Sequence, residues 1–157
     1  MSEVSIREFQ AGDEESFRRL NEEWIIRYFR LEPKDNAVLG DPQAHILAQG
    51  GRIFFANLGD DCVACCALLT TGPSEYEVGK MAVTPAWQGK GIGRRLLQAV
   101  VEAARAGGAR RLWLETNRVL EPAIRLYESV GFTHVPAERR AASPYARSDV
   151  QMEMPLD

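Results

Sequence analysis

Long apolar runs are missing from this sequence, and with them the usual sign of a membrane span. No stretch approaches the roughly 18 apolar residues that a transmembrane helix needs. The N-terminus has no basic segment followed by an apolar run, so we expect no membrane partner and a cytoplasmic location. A basic excess is also absent, because 19 Lys and Arg face 22 Asp and Glu among 157 residues. Nucleic-acid binding usually requires a basic face, so we expect no nucleic-acid partner.

Cysteine and histidine are scarce, which argues against a disulfide framework and against a zinc site. The three cysteines, Cys62, Cys65 and Cys66, form a tight cluster with an odd count. Both histidines, His45 and His134, are distant from that cluster in sequence, so a second pair of metal ligands is missing. We therefore expect no bound metal, and we interpret the cysteines as small core residues of a buried strand.

The pattern of apolar residues predicts a single mixed α+β domain over residues 1–157. In the first half, an alternating strand precedes a helix that Asp13 can cap, and a broken stretch precedes a short helix. Three strand-like runs with tight turns between them then imply antiparallel hairpins. The second half alternates helices and strands. The predicted strands are 4–9, 52–58, 62–70, 75–83, 112–114, 132–135 and 149–154; the predicted helices are 42–48, 91–106, 122–130 and one after Asp13, and the break is 31–41.

A glycine-rich turn with the sequence Gln-Gly-Lys-Gly-Ile-Gly, residues 88–93, opens the predicted helix 91–106. The first amides of a helix have no partners within it, and the helix dipole adds partial positive charge there. Glycines let an anion approach those amides closely, while Lys90, Arg94 and Arg95 add positive charge. The turn therefore predicts a binding site for a phosphate or a diphosphate.

Two common phosphate-binding motifs fit this turn poorly. A P-loop requires Ser or Thr after its lysine, but Gly91 follows Lys90. A dinucleotide-binding fold requires glycines spaced as G-x-G-x-x-G in its first strand-to-helix turn. Here Gly89, Gly91 and Gly93 are spaced by two, lie past mid-chain and follow antiparallel strands. A turn whose glycines bind no ligand is the remaining alternative.

Three segments of the chain resemble motifs of the GNAT superfamily of N-acetyltransferases. Residues 88–93 resemble its Q/R-x-x-G-x-G/A loop, residues 77–85 resemble the strand before it, and residues 123–132 resemble its late helix, A-x-x-L-Y-x-x-x-G-F. The resemblance implies a mostly antiparallel, splayed mixed sheet flanked by helices. It also implies acetyl-CoA as co-substrate, the primary amine of a small molecule or peptide as acceptor, and a homodimer. A non-catalytic acyl-CoA-binding regulatory module on the same fold is the alternative.

The resemblance also implies which residues contact the cofactor. The diphosphate would bind main-chain amides of the turn, and the pantetheine arm would pair with the strand before it as an added strand does. Many relatives have an asparagine at the position of Leu120, and we predict that Asn117 replaces it, with a turn residue as the alternative. The predicted contacts are Met81, Ala82, Val83, Gln88, Gly89, Lys90, Gly91, Ile92, Gly93, Arg94 and Asn117.

Acetyl transfer needs a base, because at pH 7 only about 1 in 10³ to 10⁴ molecules of a lysine-like amine is neutral. The resemblance places that base at Glu77, with Glu75 or a chain of waters as substitutes. The structural alternatives are a solvent-facing strand residue and an ion pair with Lys80 or an arginine. It places the acid that protonates the leaving thiolate at Tyr127, for which core packing is the alternative. Trp24, Tyr28 and Tyr145 are the candidate acceptor contacts, with core packing as the alternative for Trp24.

Overall fold

The computed structural model describes residues 4–156, in which seven strands form one mixed sheet. Their order across the sheet is β1-β2-β3-β4-β5-β7-β6. Among the described residues only β4 and β5 pair in parallel, so the sheet is mostly antiparallel, as predicted. The strands are β1 Val4–Glu8, β2 Arg52–Leu58, β3 Asp61–Gly72, β4 Glu75–Val83, β5 Arg111–Thr116, β6 Thr133–His134 and β7 Val150–Pro155.

In the described part of the chain, five α-helices cover the two faces of the sheet. Because side chains alternate along the strands, each face has its own core. In β2, Ile53 and Phe55 pack with the helices that lie between β1 and β2. Phe54 and Ala56 pack with the helices that follow β4. This is the period-two pattern of a strand that is buried on both sides. The helices are α1 Glu14–Tyr28, α2 Pro33–Gly40, α3 Pro42–His45, α4 Ile92–Ala106 and α5 Glu121–Val130.

Helix α2 lies where the sequence predicted a break, so that prediction was wrong. Pro33 occupies its first turn, where a missing N–H costs nothing. Glu32 and Asp35 form a capping box in which each side chain accepts a hydrogen bond from the other residue's N–H. The prediction for Asp13 also needs correction. It stands at the start of α1, but its carboxylate accepts from Arg7 and the Gln10 amide rather than from the helix.

Two irregularities of β4 open the centre of the sheet. A β-bulge opposite β3 places two residues, Lys80 and Met81, against one, and Lys80 adopts the left-handed conformation with φ 49°. On its other side β4 pairs with β5 only from Glu75 to Glu77. Beyond that point β5 continues with β7 alone, so the two parallel strands separate and leave residues 78–83 without a strand partner on that side.

The structure also bears on the predictions about membranes and metals. Within residues 4–156, no helix combines the length and apolarity that crossing a bilayer demands. Over the same residues, no group of three or more His, Cys, Asp or Glu side chains is placed to hold a metal ion. All three cysteines are free thiols, and Cys65 and Cys66 are buried in β3.

Candidate functional site

A cleft of about 900 Å³ opens where β4 and β5 separate. One end is the glycine-rich turn before α4, and the other lies among the C-terminal end of α1, helix α2 and the loop before β7. The cleft brings together fourteen of the sixteen residues that the sequence singled out; Lys90 and Ile92 are the two that do not line it. The fourteen are Trp24, Tyr28, Glu77, Met81, Ala82, Val83, Gln88, Gly89, Gly91, Gly93, Arg94, Asn117, Tyr127 and Tyr145.

The glycine-rich turn leaves room in front of the helix start. Gly89 and Gly91 have φ values of 75° and 82°, a left-handed conformation that other residues rarely adopt, and Gly91 is the N-cap of α4. A Cβ atom at either glycine would meet no other heavy atom within 4 Å. The first return hydrogen bond of α4 runs from the Arg95 amide to the Gly91 carbonyl. The preceding amides are therefore available to an anion.

Side chains around the turn hold it in place. Gln88 donates from Nε2 to the Val83 carbonyl at 2.9 Å, which ties the turn to the end of β4. Arg94 donates to Ser129 Oγ at 2.6 Å and so links α4 to α5. A Cβ at Gly93 would lie 3.4 Å from both Val83 and Leu126, so this glycine permits close packing. Of the two predicted residues outside the cleft, Ile92 points into the core and Lys90 is exposed.

Glu77 lies where β4 and β5 separate, and it is the last residue of β4 that pairs with β5. Burial, and then the negative charge of Glu115 on β5, raises its pKa to about 7. No group within residues 4–156 hydrogen-bonds its carboxylate, and the ion pair with Lys80 that served as an alternative is not formed, because Lys80 binds Asp35. Glu115 itself accepts a hydrogen bond from Ser143 at 2.5 Å, and burial raises its pKa as well.

Tyr127 and Asn117 line the same cleft but differ in how their polar groups are used. The Tyr127 ring packs edge-on against Phe132 with centroids 6.1 Å apart, and burial raises the pKa of its phenol above the ordinary value. Asn117 donates to the Arg147 carbonyl at 2.7 Å and accepts from the Val119 amide at 2.9 Å. Both ends of its amide are therefore engaged by the protein, as the turn interpretation expects.

The far end of the cleft contains the three candidate acceptor residues and an ion cluster that the sequence did not reveal. Trp24, Tyr28 and Tyr145 all line this end. Beside Tyr145, the fully buried carboxylate of Asp35 binds both Lys80 and Arg147. Although burial alone would raise the pKa of Asp35, the hydrogen bonds from Arg147 and Lys80 hold it at about 2.

Sequence reasoning missed Asp35, Glu115 and the partners of Arg147. Glu115 left a detectable signal, since it is an acidic residue directly after the predicted strand 112–114. Asp35 left a weaker one, the E-P-x-D spacing of a capping box. The contact between Asp35 and Arg147 spans 112 residues, and no local pattern indicates it.

Comparison with curated proteins finds relatives that include named N-acetyltransferases. The chain is 47% identical over 70 residues to the N-alpha-acetyltransferase RimI of Mycobacterium tuberculosis, a match that covers 45% of this chain and 42% of that protein. It is 31% identical over 109 residues to the [ribosomal protein bS18]-alanine N-acetyltransferase of Salmonella typhimurium, covering 63% of this chain and 74% of that protein. The chain thus spans less than half of the first of these relatives.

Solved structures share the fold over almost the whole chain. A GNAT-family acetyltransferase from Staphylococcus aureus superposes with a TM-score of 0.88 at 17% identity, covering 99% of this chain and all of that one. A Bacillus subtilis acetyltransferase in complex with CoA superposes with a TM-score of 0.74 at 21% identity, covering 98% and 99%. The sequence model of the acetyltransferase (GNAT) family matches residues 8–132, which include the glycine-rich turn and every strand from β2 to β5, and the chain belongs to that family.

Proposed function

We propose that this protein transfers an acetyl group from acetyl-CoA to a primary amine. One observation carries the proposal: a single cleft joins the glycine-rich start of α4 to the Glu77 carboxylate, along a stretch of β4 with no strand partner on that side. Such a cleft accommodates an anion, an extended chain and a reacting group in that order.

The residues present fit acetyl-CoA, which would supply the activated acetyl thioester. Free amides at the start of α4, with open space beyond Gly89 and Gly91, suit the diphosphate. The free edge of β4 from Met81 to Val83 suits the amide groups of the pantetheine arm, which can pair with it as an extra strand. The structural neighbour from Bacillus subtilis, whose fold is the same, was solved with CoA bound.

Glu77 acts as the general base in this proposal. It accepts the proton that the ammonium group gives up, and the neutral amine nitrogen then bonds to the thioester carbon. As the carbon–sulfur bond breaks, the nitrogen releases its second proton to water. A pKa of about 7 suits this role, because the carboxylate is then available near neutral pH and still binds a proton well. Beyond Glu77, β4 has no strand partner on the side of β5, so a main-chain N–H there can stabilise the carbonyl oxygen as its charge grows.

Tyr127 acts as the general acid. The phenol is protonated at neutral pH, as an ordinary tyrosine also is, and burial raises its pKa further. It gives its proton to the sulfur as the carbon–sulfur bond breaks and regains a proton from water. The ring is held by Phe132 within the core, and the residue borders the cleft. Acid and base thus lie on different elements, Tyr127 on α5 and Glu77 on β4, with the cleft between them.

The acceptor in this proposal is a primary amine of a small molecule or a peptide. The two carboxylates of Glu77 and Glu115 at the separation of β4 and β5 favour a cationic group. Trp24, Tyr28 and Tyr145 offer apolar surface beside them. Peptide acceptors deserve inclusion in any test, since one relative is named for acetylating an alanine of a ribosomal protein.

The experiment that tests the proposal is thiol release from acetyl-CoA with a panel of amines: an alanine-initiated peptide, a polyamine, an arylalkylamine and a free amino acid. We expect at least one to be acetylated. Glu77→Gln should lower kcat with that amine by about 10²- to 10⁴-fold, the usual contribution of a general base. Glu102→Gln, which changes an exposed glutamate on α4, is the matched control and should leave kcat unchanged.

The outcomes separate the competing functions. CoA binding in calorimetry without thiol release from any amine would favour the non-catalytic acyl-CoA-binding module. Absence of any heat with CoA would remove both functions. Full activity of Glu77→Gln would retain the acetyltransferase but move the base to Glu75 or to water.

A further inference from the structure

The cluster around Asp35 joins three elements that are distant in sequence. Arg147, in the loop of residues 141–149, donates to both carboxylate oxygens of Asp35 on α2, at 2.8 and 2.7 Å. Lys80 on β4 donates to the same carboxylate at 2.6 Å. The Glu32 amide adds a third interaction at 2.9 Å, and no part of Asp35 is exposed. A buried carboxylate in this position is stable only while its cations remain in place.

The first arm of the cluster fixes a wall of the acceptor end of the cleft. The guanidinium of Arg147 lies 4.4 Å from the ring centroid of Tyr145, and the ammonium of Lys80 lies 4.7 Å from it. Lys80 also donates to the Tyr145 hydroxyl at 3.2 Å. Next in the loop, the Ala146 amide donates to Glu32 at 3.0 Å. Tyr145 therefore borders the cleft in a position set by Asp35 through its two cations.

The second arm reaches the bulge of β4. Lys80 is the bulged residue, its left-handed backbone is unfavourable for a side chain, and its ion pair with Asp35 opposes relaxation of that conformation. Its neighbours Gly79 and Met81 both line the cleft. The same carboxylate therefore controls the shape of β4 near Glu77 as well as the acceptor wall.

We propose that Asp35 is a positioning residue for acetyl transfer, which through Arg147 and Lys80 holds Tyr145 and the β4 bulge in a fixed relation across the cleft. The proposal rests on the proposed function. It assigns specificity for the acceptor to a contact remote from the reacting atoms. It also separates two kinds of contribution: the contacts of Arg147 and Lys80 with Tyr145 set acceptor binding, and the hold of Asp35 on the bulged Lys80 sets the rate of the chemical step.

The test is the steady-state kinetics of Asp35→Asn, with acetyl-CoA and the amine varied separately. We expect the KM for the amine to rise and kcat to fall, together by about 10²-fold in kcat/KM, as a displacement of about 1 Å in the site would cause. The affinity for CoA, measured by calorimetry, should change less than twofold. Asp13→Asn is the matched control: it removes an equally bidentate arginine pair, to Arg7, outside the cleft. Its kinetics should equal those of wild type.

Arg147→Gln keeps the proposal falsifiable if Asp35→Asn does not fold, because Asp35 then retains Lys80. We expect this variant to raise the KM for the amine and to leave kcat nearly unchanged. Equal KM values for the amine in wild type and Arg147→Gln would overturn the proposal, as would a folded Asp35→Asn with wild-type kinetics. A wild-type protein that acetylates none of the amines refutes the proposed function, and the positioning role with it. Wild-type turnover with unaffected variants refutes only the positioning role.

Discussion

The two ends of the cleft are built on different physical principles. The end at α4 consists of main-chain groups and glycines within one short segment, residues 88–94, whose geometry follows from local conformation. The acceptor end consists of side chains from α1, α2, β4, β5 and the loop 141–149, joined by ion pairs such as that of Asp35 with Arg147. A binding site formed by main-chain groups keeps its geometry when the surrounding side chains are substituted. A binding site formed by long-range side-chain contacts changes its geometry with each substitution among those side chains. In the proposed function, the binding of acetyl-CoA and the choice of amine can therefore vary independently in one fold.

Removing the Tyr127 hydroxyl tests whether this residue is the general acid that acts between the two ends of the cleft. Tyr127→Phe should lower kcat by about 10²- to 10⁴-fold where chemistry limits the rate, because the thiolate loses its proton donor. The affinity for CoA should not change, since the ring still packs against Phe132. Tyr76→Phe, on a partly buried tyrosine of β4 outside the cleft, is the control. An unchanged kcat would remove Tyr127 from the acid role.

A negative charge at the helix start should damage the α4 end alone. Gly91→Glu should weaken CoA binding by roughly 10²- to 10³-fold, because a carboxylate close to a diphosphate costs several kcal/mol at an effective dielectric of about 20. Gly108→Glu is a close control for backbone strain: Gly108 also has a positive φ, 89°, and nothing within 4 Å of its Cβ position, but it lies outside the cleft. Calorimetry with CoA measures the difference. Equal affinities in both variants would refute the diphosphate site.

Neutralising Glu115 should change only the acceptor end, and by a smaller amount. The Glu115 charge raises the pKa of Glu77, so Glu115→Gln should lower that pKa and shift the acidic limb of kcat/KM for the amine to lower pH. Glu115→Gln should remove only part of the rise in the Glu77 pKa, because burial is the larger cause of that rise. The ionisation of the amine is common to both proteins and cancels in the comparison. An acidic limb at unchanged pH would show that Glu77 is not the titrating base.

The sequence predicted the local structure at the α4 end of the cleft but not the side-chain contacts at the other end, and both results have the same physical reason. Helix starts, glycine turns and alternating strands are local, so the positions of Gly89, Gly91 and the strands could be anticipated. Helix α2 was missed because Pro33 and Gly40 suggest a break, although Pro33 suits a first turn. The environments of Glu77 and Tyr145 depend on partners more than 35 residues away, such as Glu115 and Lys80.

The separation of β4 from β5 has a consequence for the protein without ligand. Along residues 78–83, the main-chain groups on the β5 side have no neighbouring strand among the described residues. If the walls of the cleft closed onto them, these N–H and C=O groups would lose water and gain no partner, at a cost of about 1–3 kcal/mol each. The cleft therefore resists collapse in the protein without ligand. The unpaired main-chain groups of β4 themselves keep the cleft open.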